Sequence, residues 1–251
     1  MLMSLICCYN NKNVLDEFVI ASLQKSMNTD YEFIDIDNRD NRFSSIAKAY
    51  NYGLSKAHGE WIMFCHQDIA FESDFLDKIS SFLENETEKR DRIYGFAGIE
   101  KSGVVYSNIQ RKDSKKYIIR RQLTEPTYVF SLDECCFIIS RDYIDELGGF
   151  DENACDNWHM YCVELCVRCL QQGGNVICIP ETIYHKTGSS DTSVLLDSDF
   201  LKTFYKVAKK YREDYPVLYA PCYISKTNTP FLEIQLLKTY FKYLMKKKKS
   251  I

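Results

Sequence analysis

The sequence predicts an α/β protein with a mixed, mainly parallel sheet flanked by helices, and three observations lead to that prediction. Residues 3–83 alternate three short apolar runs with three stretches whose apolar residues recur at helical spacing. This order is typical of a parallel sheet covered by helices. Residues 92–139 instead hold short strands with few helices between them, which indicates a mixed or antiparallel extension. With 251 residues and 45% hydrophobic content, the chain is long enough to bury one large core.

The first half of the chain contains three predicted strand–helix pairs. The strands are residues 3–9 (MSLICCY), 31–37 (YEFIDID) and 61–65 (WIMFC). The helices that follow them are marked by apolar stripes over residues 15–27, 46–57 and 75–83. Polar residues suited to a helix N-terminus precede the first and third helices, and Gly59 follows the second.

The second half of the chain is less regular. Strands are predicted over residues 92–99, 103–109, 117–121, 127–139 and 175–180. Helices are predicted over residues 141–147, 158–171, 196–212 and 230–247, with an irregular segment after Pro216. We divide the chain into a domain of residues 1–215 and a C-terminal segment of residues 216–251.

Charge and hydropathy argue against a nucleic-acid-binding protein and against a membrane-spanning protein. The formal net charge of −3 argues against nucleic acid as the main partner. No apolar run approaches the roughly 20 residues that span a bilayer. The first ten residues, MLMSLICCYN, lack the basic start of a signal peptide. We therefore expect a cytoplasmic protein.

The chain has eleven cysteines, most of them inside apolar runs. In a cytosolic protein such residues behave as small buried hydrophobes, so core packing is the favoured interpretation. A zinc-binding interaction protein is the alternative, but its ligands lack a paired Cys-x-x-Cys motif. Those ligands would be Cys155, Cys162, Cys166 and Cys169.

Polar residues collect where the first three strands end. Ligands of open α/β sheets bind outside the carboxyl ends of the strands, so these residues form the predicted binding rim. They are Asn10, Asp35, Asp37, Asn38, His66, Gln67 and Asp68.

Several segments, taken in order, resemble the GT-A glycosyltransferases. The resemblance covers most of residues 3–190 and is closest to the family 2-like group that includes the StrF-type domains. The segments are ICCYNN, IDIDN, SIAKAYNYGLSKAHGEWIMFCHQD, LGGFDE, WHMYCVELCVRCLQQGGNVICIP and YHKTGSS. The resemblance implies a Rossmann-like domain that binds a nucleotide-sugar, most simply a UDP-sugar, together with Mn²⁺ or Mg²⁺. It also implies sugar transfer to a glycan or glycolipid acceptor, with inversion where a carboxylate base is present.

The resemblance assigns a metal site to the end of the third strand. A divalent cation neutralises the diphosphate leaving group. Asp68 matches the last carboxylate of the usual Asp-x-Asp pattern, and His66 replaces the first. His185 corresponds to a further ligand in related enzymes. The alternative is that these side chains only hydrogen bond to loop backbone or serve as ordinary loop residues.

Nucleotide contacts are implied at the ends of the first two strands. Asp35 and Asp37 match the contacts to base and ribose, with Asp37 favoured, and Tyr9 and Asn10 flank the base. Lys48 and Asn51 are candidates for the diphosphate, and Gln67 belongs to the same set. The alternatives are an Asx turn at Asp37 and a solvated charge at Lys48.

The catalytic base is where the sequence departs from the family. The family usually has Glu-Asp at the place of Tyr161–Cys162, and a neutral thiol is a poor base. The nearest substitutes are Glu164, Asp156 and His159, although Glu164 can simply pair with Arg168 on the helix surface. Trp158 stacks on a sugar or anchors the core, and Asp133 lies near the acceptor or shapes a turn. All of these residues lie between positions 133 and 168.

Two further interpretations stay open. Because of Cys162, the chain is either an active transferase or a non-catalytic nucleotide-sugar binding domain that partners an active enzyme. The C-terminal helix carries apolar residues on one face and lysines on the other. It either docks on the domain or lies on the inner face of the membrane as a peripheral contact.

Overall fold

The computed structural model describes the backbone of residues 2–27, 30–86, 91–118, 121–186 and 196–249, and their side chains up to residue 245. The motif segment YHKTGSS therefore lies partly outside the described residues, as does the middle of the strand predicted at 117–121. At the start of that strand, Tyr117 forms a single bridge with Gln110.

The first half forms alternating strands and helices, as predicted. Strand β1 (Met3–Tyr9) leads into α1 (Lys12–Leu15), which continues through a π-helical turn (Asp16–Ile20) into α2 (Ala21–Leu23). The next elements are β2 (Tyr31–Asp37), α3 (Ile46–Leu54), β3 (Trp61–His66), β4 (Ile69–Ala70) and α4 (Phe75–Glu84). The Asn11 and Ser45 side chains accept hydrogen bonds from the first turns of α1 and α3, which fixes where these helices begin.

The second half supplies short strands and the remaining helices. They are β5 (Arg92–Gly95), β6 (Ala97–Ile99), β7 (Val105–Ser107), β8 (Ile109–Arg111), β9 (Thr127–Tyr128), β10 (Ser131–Leu132), β11 (Cys136–Ser140), α5 (Arg141–Glu146), α6 (Tyr161–Gln171), β12 (Asn175–Cys178), β13 (Ile183–His185), α7 (Ser198–Tyr211), β14 (Val217–Ala220), β15 (Tyr223–Lys226) and α8 (Phe231–Lys249).

A seven-stranded sheet has the order β2-β1-β3-β11-β5-β12-β9. Strands β2, β1 and β3 are parallel, and β11 lies antiparallel between β3 and β5. The register pairs Tyr9 with Asp37 and Cys8 with His66, so three carboxyl ends meet at one edge. The predicted rim therefore exists as one continuous edge of the sheet.

A small three-stranded sheet brings a distant segment to the same edge. Its order is β4-β13-β8, and its register places His185 opposite Ile69. Because β4 follows β3 almost directly, this pairing holds His185 beside the residues that end β3.

Helices cover both faces of the main sheet. One core cluster contains residues of α3, α6 and α7, including Tyr50, Leu165 and Phe204. The other contains residues of α1 and α4, including Leu15 and Ile79. The cysteines of the strands and of α6 are buried in these clusters, except for the partly buried Cys8, as the core-packing interpretation predicts.

The chain after Pro216 is more regular than the sequence predicts. It forms an antiparallel hairpin of β14 and β15, in which alternate residues are buried. Leu218 of this hairpin and Leu232 and Leu236 of α8 belong to the core cluster that contains α6 and α7. The hairpin and the first half of α8 therefore pack on the core that contains α6 and α7.

Candidate functional site

A pocket of about 330 Å³ opens at the carboxyl edge of β1 and β3. Its wall combines polar rim residues with aromatic side chains from α3 and α6. It is lined by Cys8, Tyr9, Asn10, Asn38, Ile46, Tyr50, His66, Gln67, Asp68, Trp158 and Tyr161. The pocket thus joins three of the predicted nucleotide contacts, Tyr9, Asn10 and Gln67, to two of the predicted metal ligands.

Three residues at this edge form a candidate metal centre. Ligand atoms of His66, Asp68 and His185 all lie within 4.8 Å of one another, and within the described residues this is the one such group of three. Nε2 of His185 lies 3.5 Å from Oδ1 of Asp68. Two imidazoles and one carboxylate at this spacing suit a divalent cation, so the residues fit the metal that the resemblance implies.

His66 is held from behind by the helix α6. Its Nε2 lies 2.8 Å from the hydroxyl of Tyr161, which donates a hydrogen bond to the Glu134 carbonyl at 2.9 Å. Burial lowers the pKa of His66, and this effect exceeds the opposing effect of Asp68. The lowered pKa favours the neutral imidazole, which is the form that binds metals.

Gln67 lines the pocket and also holds the end of β1 in place. Its Oε1 accepts hydrogen bonds from the backbone N–H groups of Asn10 and Asn11 at 3.1 and 2.9 Å. Its Nε2 donates to Oδ1 of Asn10 at 2.8 Å. Both ends of the amide are engaged, so Gln67 sets the position of Asn10 at the pocket wall.

Asp35 and Asp37 of β2 are exposed at the edge of the sheet. Asp37 forms a bidentate ion pair with Arg39 and accepts the Arg39 backbone N–H at 3.0 Å. These hydrogen bonds hold the pKa of Asp37 well below its usual range. The Asx-type turn considered for Asp37 is therefore present. Asp35 lies two residues earlier on the same face of the edge strand.

Lys48 and Asn51 lie on α3 but outside the pocket wall. Lys48 is exposed, and its Nζ contacts Oγ of Ser44 at 3.1 Å. The Asn51 amide instead exchanges hydrogen bonds with the backbone of Phe150, at 2.8 and 3.0 Å. Asn51 therefore ties α3 to the loop after α5, and the diphosphate role predicted for it has no support in this geometry.

Glu164 is part of a buried ion network. Its side chain is 0% exposed, and its two oxygens accept hydrogen bonds from Arg168, Lys210 and Tyr211 at 2.6 to 2.8 Å. A carboxylate engaged in this way cannot reach an acceptor hydroxyl. The base role predicted for Glu164 is corrected to the internal pairing with Arg168, because α6 presents this face to α7.

The other two substitute bases also point away from the pocket wall. Asp156 pairs with Lys206 at 2.6 Å on the surface. His159 lies 3.5 Å from Asp197, and its ring packs edge-on against Phe200 of α7. Burial lowers the pKa of His159. Both residues are thus engaged with α7 and its N-cap rather than with the pocket.

Asp133 and Glu134 lie between the metal centre and the start of α6. Oδ1 of Asp133 accepts the backbone N–H of Cys135 at 3.0 Å, as the turn interpretation predicts. The same turn adjoins the metal centre, because the backbone N–H of His66 donates to the carbonyl of Cys135 at 2.9 Å. Burial raises the pKa of Glu134 well above its usual range, although the first backbone N–H groups of α6 hydrogen bond to it.

Cys162 and Trp158 differ in exposure to the pocket. Cys162 is fully buried, and burial raises the pKa of its thiol, so it is neutral and unable to act as a base. Trp158 is 43% exposed and lines the pocket, so it is available to a sugar and does not anchor the core.

Sequence reasoning missed one residue of this site, Tyr161, which contacts His66. Asn38, predicted as part of the rim from its position at a strand end, lines the pocket, and its buried amide hydrogen bonds to the Phe43 backbone. Tyr161 gave no such signal, because a tyrosine in an apolar helix stripe is indistinguishable from a core residue.

Comparison with known proteins agrees with this architecture. A glycosyltransferase-like family matches residues 4–200 of the chain. A curated relative from Fuscovulum blasticum, described as "ATP synthase subunits region ORF 6", is 25% identical over 197 residues, which cover 74% of this chain and 73% of the relative.

Solved structures of TarS and GalNAc-T7 have folds similar to that of this chain. S. aureus TarS 1–349 superposes with a TM-score of 0.58 at 13% identity, over 97% of this chain and 71% of TarS 1–349. The same protein in complex with UDP-GlcNAc gives a TM-score of 0.57 at 12% identity, over 97% and 72%. GalNAc-T7 with UDP, GalNAc and Mn²⁺ gives 0.56 at 15% identity, over 85% of this chain and 51% of GalNAc-T7.

These neighbours confirm the GT-A fold that the sequence predicts. The present chain spans about half the length of the GalNAc-T7 structure. None of the described helices is both long and apolar enough to cross a bilayer. The family match extends over most of the chain, and the chain belongs to this glycosyltransferase-like family.

Proposed function

We propose that this protein transfers a sugar from a UDP-sugar to a hydroxyl of a glycan or glycolipid, with a divalent cation held by His66, Asp68 and His185. The observation that carries the proposal is the convergence of these three side chains at the pocket. Structural neighbours with UDP and UDP-GlcNAc bound support the choice of donor.

The ligand set favours Mn²⁺ over Mg²⁺. Mg²⁺ prefers an octahedral shell of oxygens and retains several waters, whereas Mn²⁺ also accepts imidazole nitrogen. Two of the three candidate ligands are imidazoles. When bound, the cation supplies Lewis-acid stabilisation of the diphosphate leaving group. Tyr9, Asn10 and Trp158 supply flat and polar surfaces around the same pocket for the nucleoside and the sugar.

Asp133 is the best-placed candidate for the catalytic base. Glu164, Asp156 and His159 are engaged with α6 or α7, whereas the turn that holds Asp133 adjoins the end of β3, where the His66 backbone N–H donates to the Cys135 carbonyl at 2.9 Å. A carboxylate base beside the donor site is what a single displacement with inversion requires.

The first experiment compares thermal shifts with UDP, GDP, CDP and dTDP, each with Mn²⁺, with Mg²⁺ and without metal. Binding to the native state raises the unfolding temperature by mass action. We expect the largest shift with UDP and Mn²⁺, and its loss in Asp68→Asn. The matched control is Asp16→Asn, an exposed carboxylate on the first helical segment. Equal shifts for all four nucleotides, or no loss in Asp68→Asn, would contradict the assignment.

A release assay separates the enzyme from its alternative. UDP release from a UDP-sugar that depends on Mn²⁺ supports transfer chemistry. Mn²⁺-dependent UDP binding without release from any UDP-sugar, with acceptor extracts added, supports the non-catalytic binding domain.

The C-terminal helix α8 carries a second, solvent-exposed surface. Its inner face docks on the domain through buried Leu232 and Leu236. Its outer face bears an apolar stripe whose members are 47% to 63% exposed and recur every three or four residues. The stripe consists of Phe231, Ile234, Leu237, Phe241 and Met245. At 1.5 Å per residue it is about 21 Å long.

We propose that this stripe rests on an anionic lipid bilayer, which would suit a lipid-linked acceptor. Lys238 and Lys242 flank the stripe and are exposed, and Lys246–Lys249 continue the positive charge in sequence. Each lysine near an anionic surface contributes about 1 kcal/mol. A second copy of the chain would bring the same positive charge against it, so charge complementarity favours lipid.

Vesicle flotation tests this surface. We expect the protein to float with vesicles that contain phosphatidylglycerol and to remain behind with phosphatidylcholine alone. Phe241→Ser and Lys242→Glu should each reduce flotation, while Lys78→Glu, on the surface of α4, should not. Concentration-dependent dimers that Phe241→Ser abolishes, without flotation of the wild type, would assign the stripe to self-association instead.

A further inference from the structure

A hydrogen-bond chain links the candidate metal ligand His66 to the main chain through Tyr161. Nε2 of His66 lies 2.8 Å from the Tyr161 hydroxyl. The same hydroxyl lies 2.9 Å from the carbonyl oxygen of Glu134. The three groups come from β3, from the first residue of α6 and from the turn between β10 and β11.

Counting protons fixes the direction of this chain. A carbonyl oxygen only accepts hydrogen bonds, so the single hydroxyl proton of Tyr161 is donated to Glu134. The hydroxyl oxygen must then accept its second hydrogen bond from the imidazole, which requires a proton on Nε2 of His66. In a neutral ring this leaves Nδ1 as the nitrogen with a free lone pair.

Tight packing around Tyr161 keeps its hydroxyl in the hydrogen bonds to His66 and Glu134. The residue is 1% exposed. Its ring meets Tyr50 edge-on with 5.5 Å between centroids, and it also packs against Phe137 and Phe150. A rotation that breaks the bond to His66 would also leave the Glu134 carbonyl without this donor, which costs free energy in a buried setting.

We propose that Tyr161 is a positioning residue that holds His66 as the Nε2–H tautomer, so that Nδ1 is the nitrogen offered to the divalent cation. The inference rests on the metal role proposed above for His66. A group of this kind raises metal affinity because it orients the ligand and fixes its protonated nitrogen before the cation binds.

The tautomer can be measured without any metal. In protein labelled with ¹⁵N-histidine, His66 should show a protonated Nε2 and an unprotonated Nδ1, with its signals assigned by their loss in His66→Ala. In Tyr161→Phe the two tautomers should mix. A protonated Nδ1 in the wild type, or unchanged signals in Tyr161→Phe, would overturn the proposal. The wild-type spectrum alone suffices if the variant does not fold.

Metal affinity provides the second readout. We expect Tyr161→Phe to weaken Mn²⁺ binding about 10- to 100-fold, measured by the electron paramagnetic resonance of free Mn²⁺. The matched control is Tyr94→Phe, which removes another buried hydroxyl, bonded to Glu86 at 3.1 Å and remote from the pocket. Affinity within twofold of the wild type in Tyr161→Phe would overturn the proposal.

The histidine spectrum and the Mn²⁺ affinity test the role of Tyr161 and the metal role of the site separately. If the wild-type protein binds no Mn²⁺, the metal role of the site fails. The histidine spectrum of the metal-free protein still shows whether Tyr161 sets the tautomer of His66.

Discussion

Oδ1 of Asp68 lies 3.5 Å from Nε2 of His185, although the two residues belong to opposite halves of the chain. The contact arises because β13 pairs antiparallel with β4, which places His185 opposite Ile69. The Lys186 backbone N–H also donates to the Asp68 carbonyl at 3.0 Å. The third candidate ligand is therefore fixed by main-chain pairing rather than by a free loop.

Replacing His185 should weaken metal binding without unfolding the protein. We expect His185→Ala to lower Mn²⁺ affinity at least tenfold, because the site loses one of three ligands. The comparison variant is His58→Ala, whose side chain is 79% exposed and contacts Glu32 far from the metal centre. Calorimetric titration with Mn²⁺ measures both variants. Equal affinities for His185→Ala and wild type would remove His185 from the site.

Replacing Glu164 should lower the stability of the fold but leave UDP binding unchanged. Glu164→Ala leaves Arg168 and Lys210 without their buried partner, so the free energy of unfolding should fall by about 3–5 kcal/mol. Urea denaturation monitored by circular dichroism measures this change. At a temperature where the variant remains folded, UDP binding should be unchanged. Full stability with lost turnover would restore Glu164 as the base.

The sequence predicts the rim of the site well, because the rule it uses is local. Three apolar strands each end in polar residues, and parallel neighbours must present their carboxyl ends together. The pairing of Cys8 with His66 and Tyr9 with Asp37 follows from that rule.

Residues whose roles depend on packing between distant elements are not predictable in this way. Asn51 and Glu164 carry the polar signal of a binding residue, yet they bond to Phe150 and to α7 within the fold. Tyr161 carries no polar signal and contacts His66. The hairpin of β14 and β15 is missed because its alternating burial depends on a core assembled from earlier segments.

Glu32 should make stability depend on pH in the acid range. Burial would raise the pKa of Glu32, but hydrogen bonds from Ser4 and from the backbone of His58 and Gly59 outweigh it and lower the pKa to about 2. Gly59 allows this contact, because a Cβ there would lie 2.6 Å from the Ser4 backbone nitrogen.

The sign of this effect follows from the lowered pKa. The folded protein binds the Glu32 proton less readily than the unfolded chain does, so the contribution is complete above about pH 4.5. It is lost as the pH falls toward 2. Glu32→Gln should cost about 2 kcal/mol at pH 7, and its difference from wild type should shrink between pH 4.5 and pH 2.5. Urea titrations at several pH values measure it, and a difference independent of pH would contradict the assignment.

Asp133→Asn should slow the chemical step while leaving the fold intact. The asparagine keeps an Oδ1 that can accept the Cys135 backbone N–H, so the turn after β10 should survive the substitution. It cannot accept a proton from an acceptor hydroxyl. If Asp133 is the base, kcat should fall about 10²- to 10⁴-fold, with the KM for the UDP-sugar nearly unchanged.

The matched comparison for Asp133 is Asp156→Asn. This variant makes the same carboxylate-to-amide change, but the side chain of Asp156 pairs with Lys206 on the surface. We expect this variant to retain kcat within about threefold, because an exposed ion pair contributes little free energy. Steady-state kinetics of both variants, with unfolding temperatures as the folding check, measure the difference. If Asp156→Asn loses turnover and Asp133→Asn retains it, the base lies on the α7 side of the pocket, and Asp133 only shapes the turn.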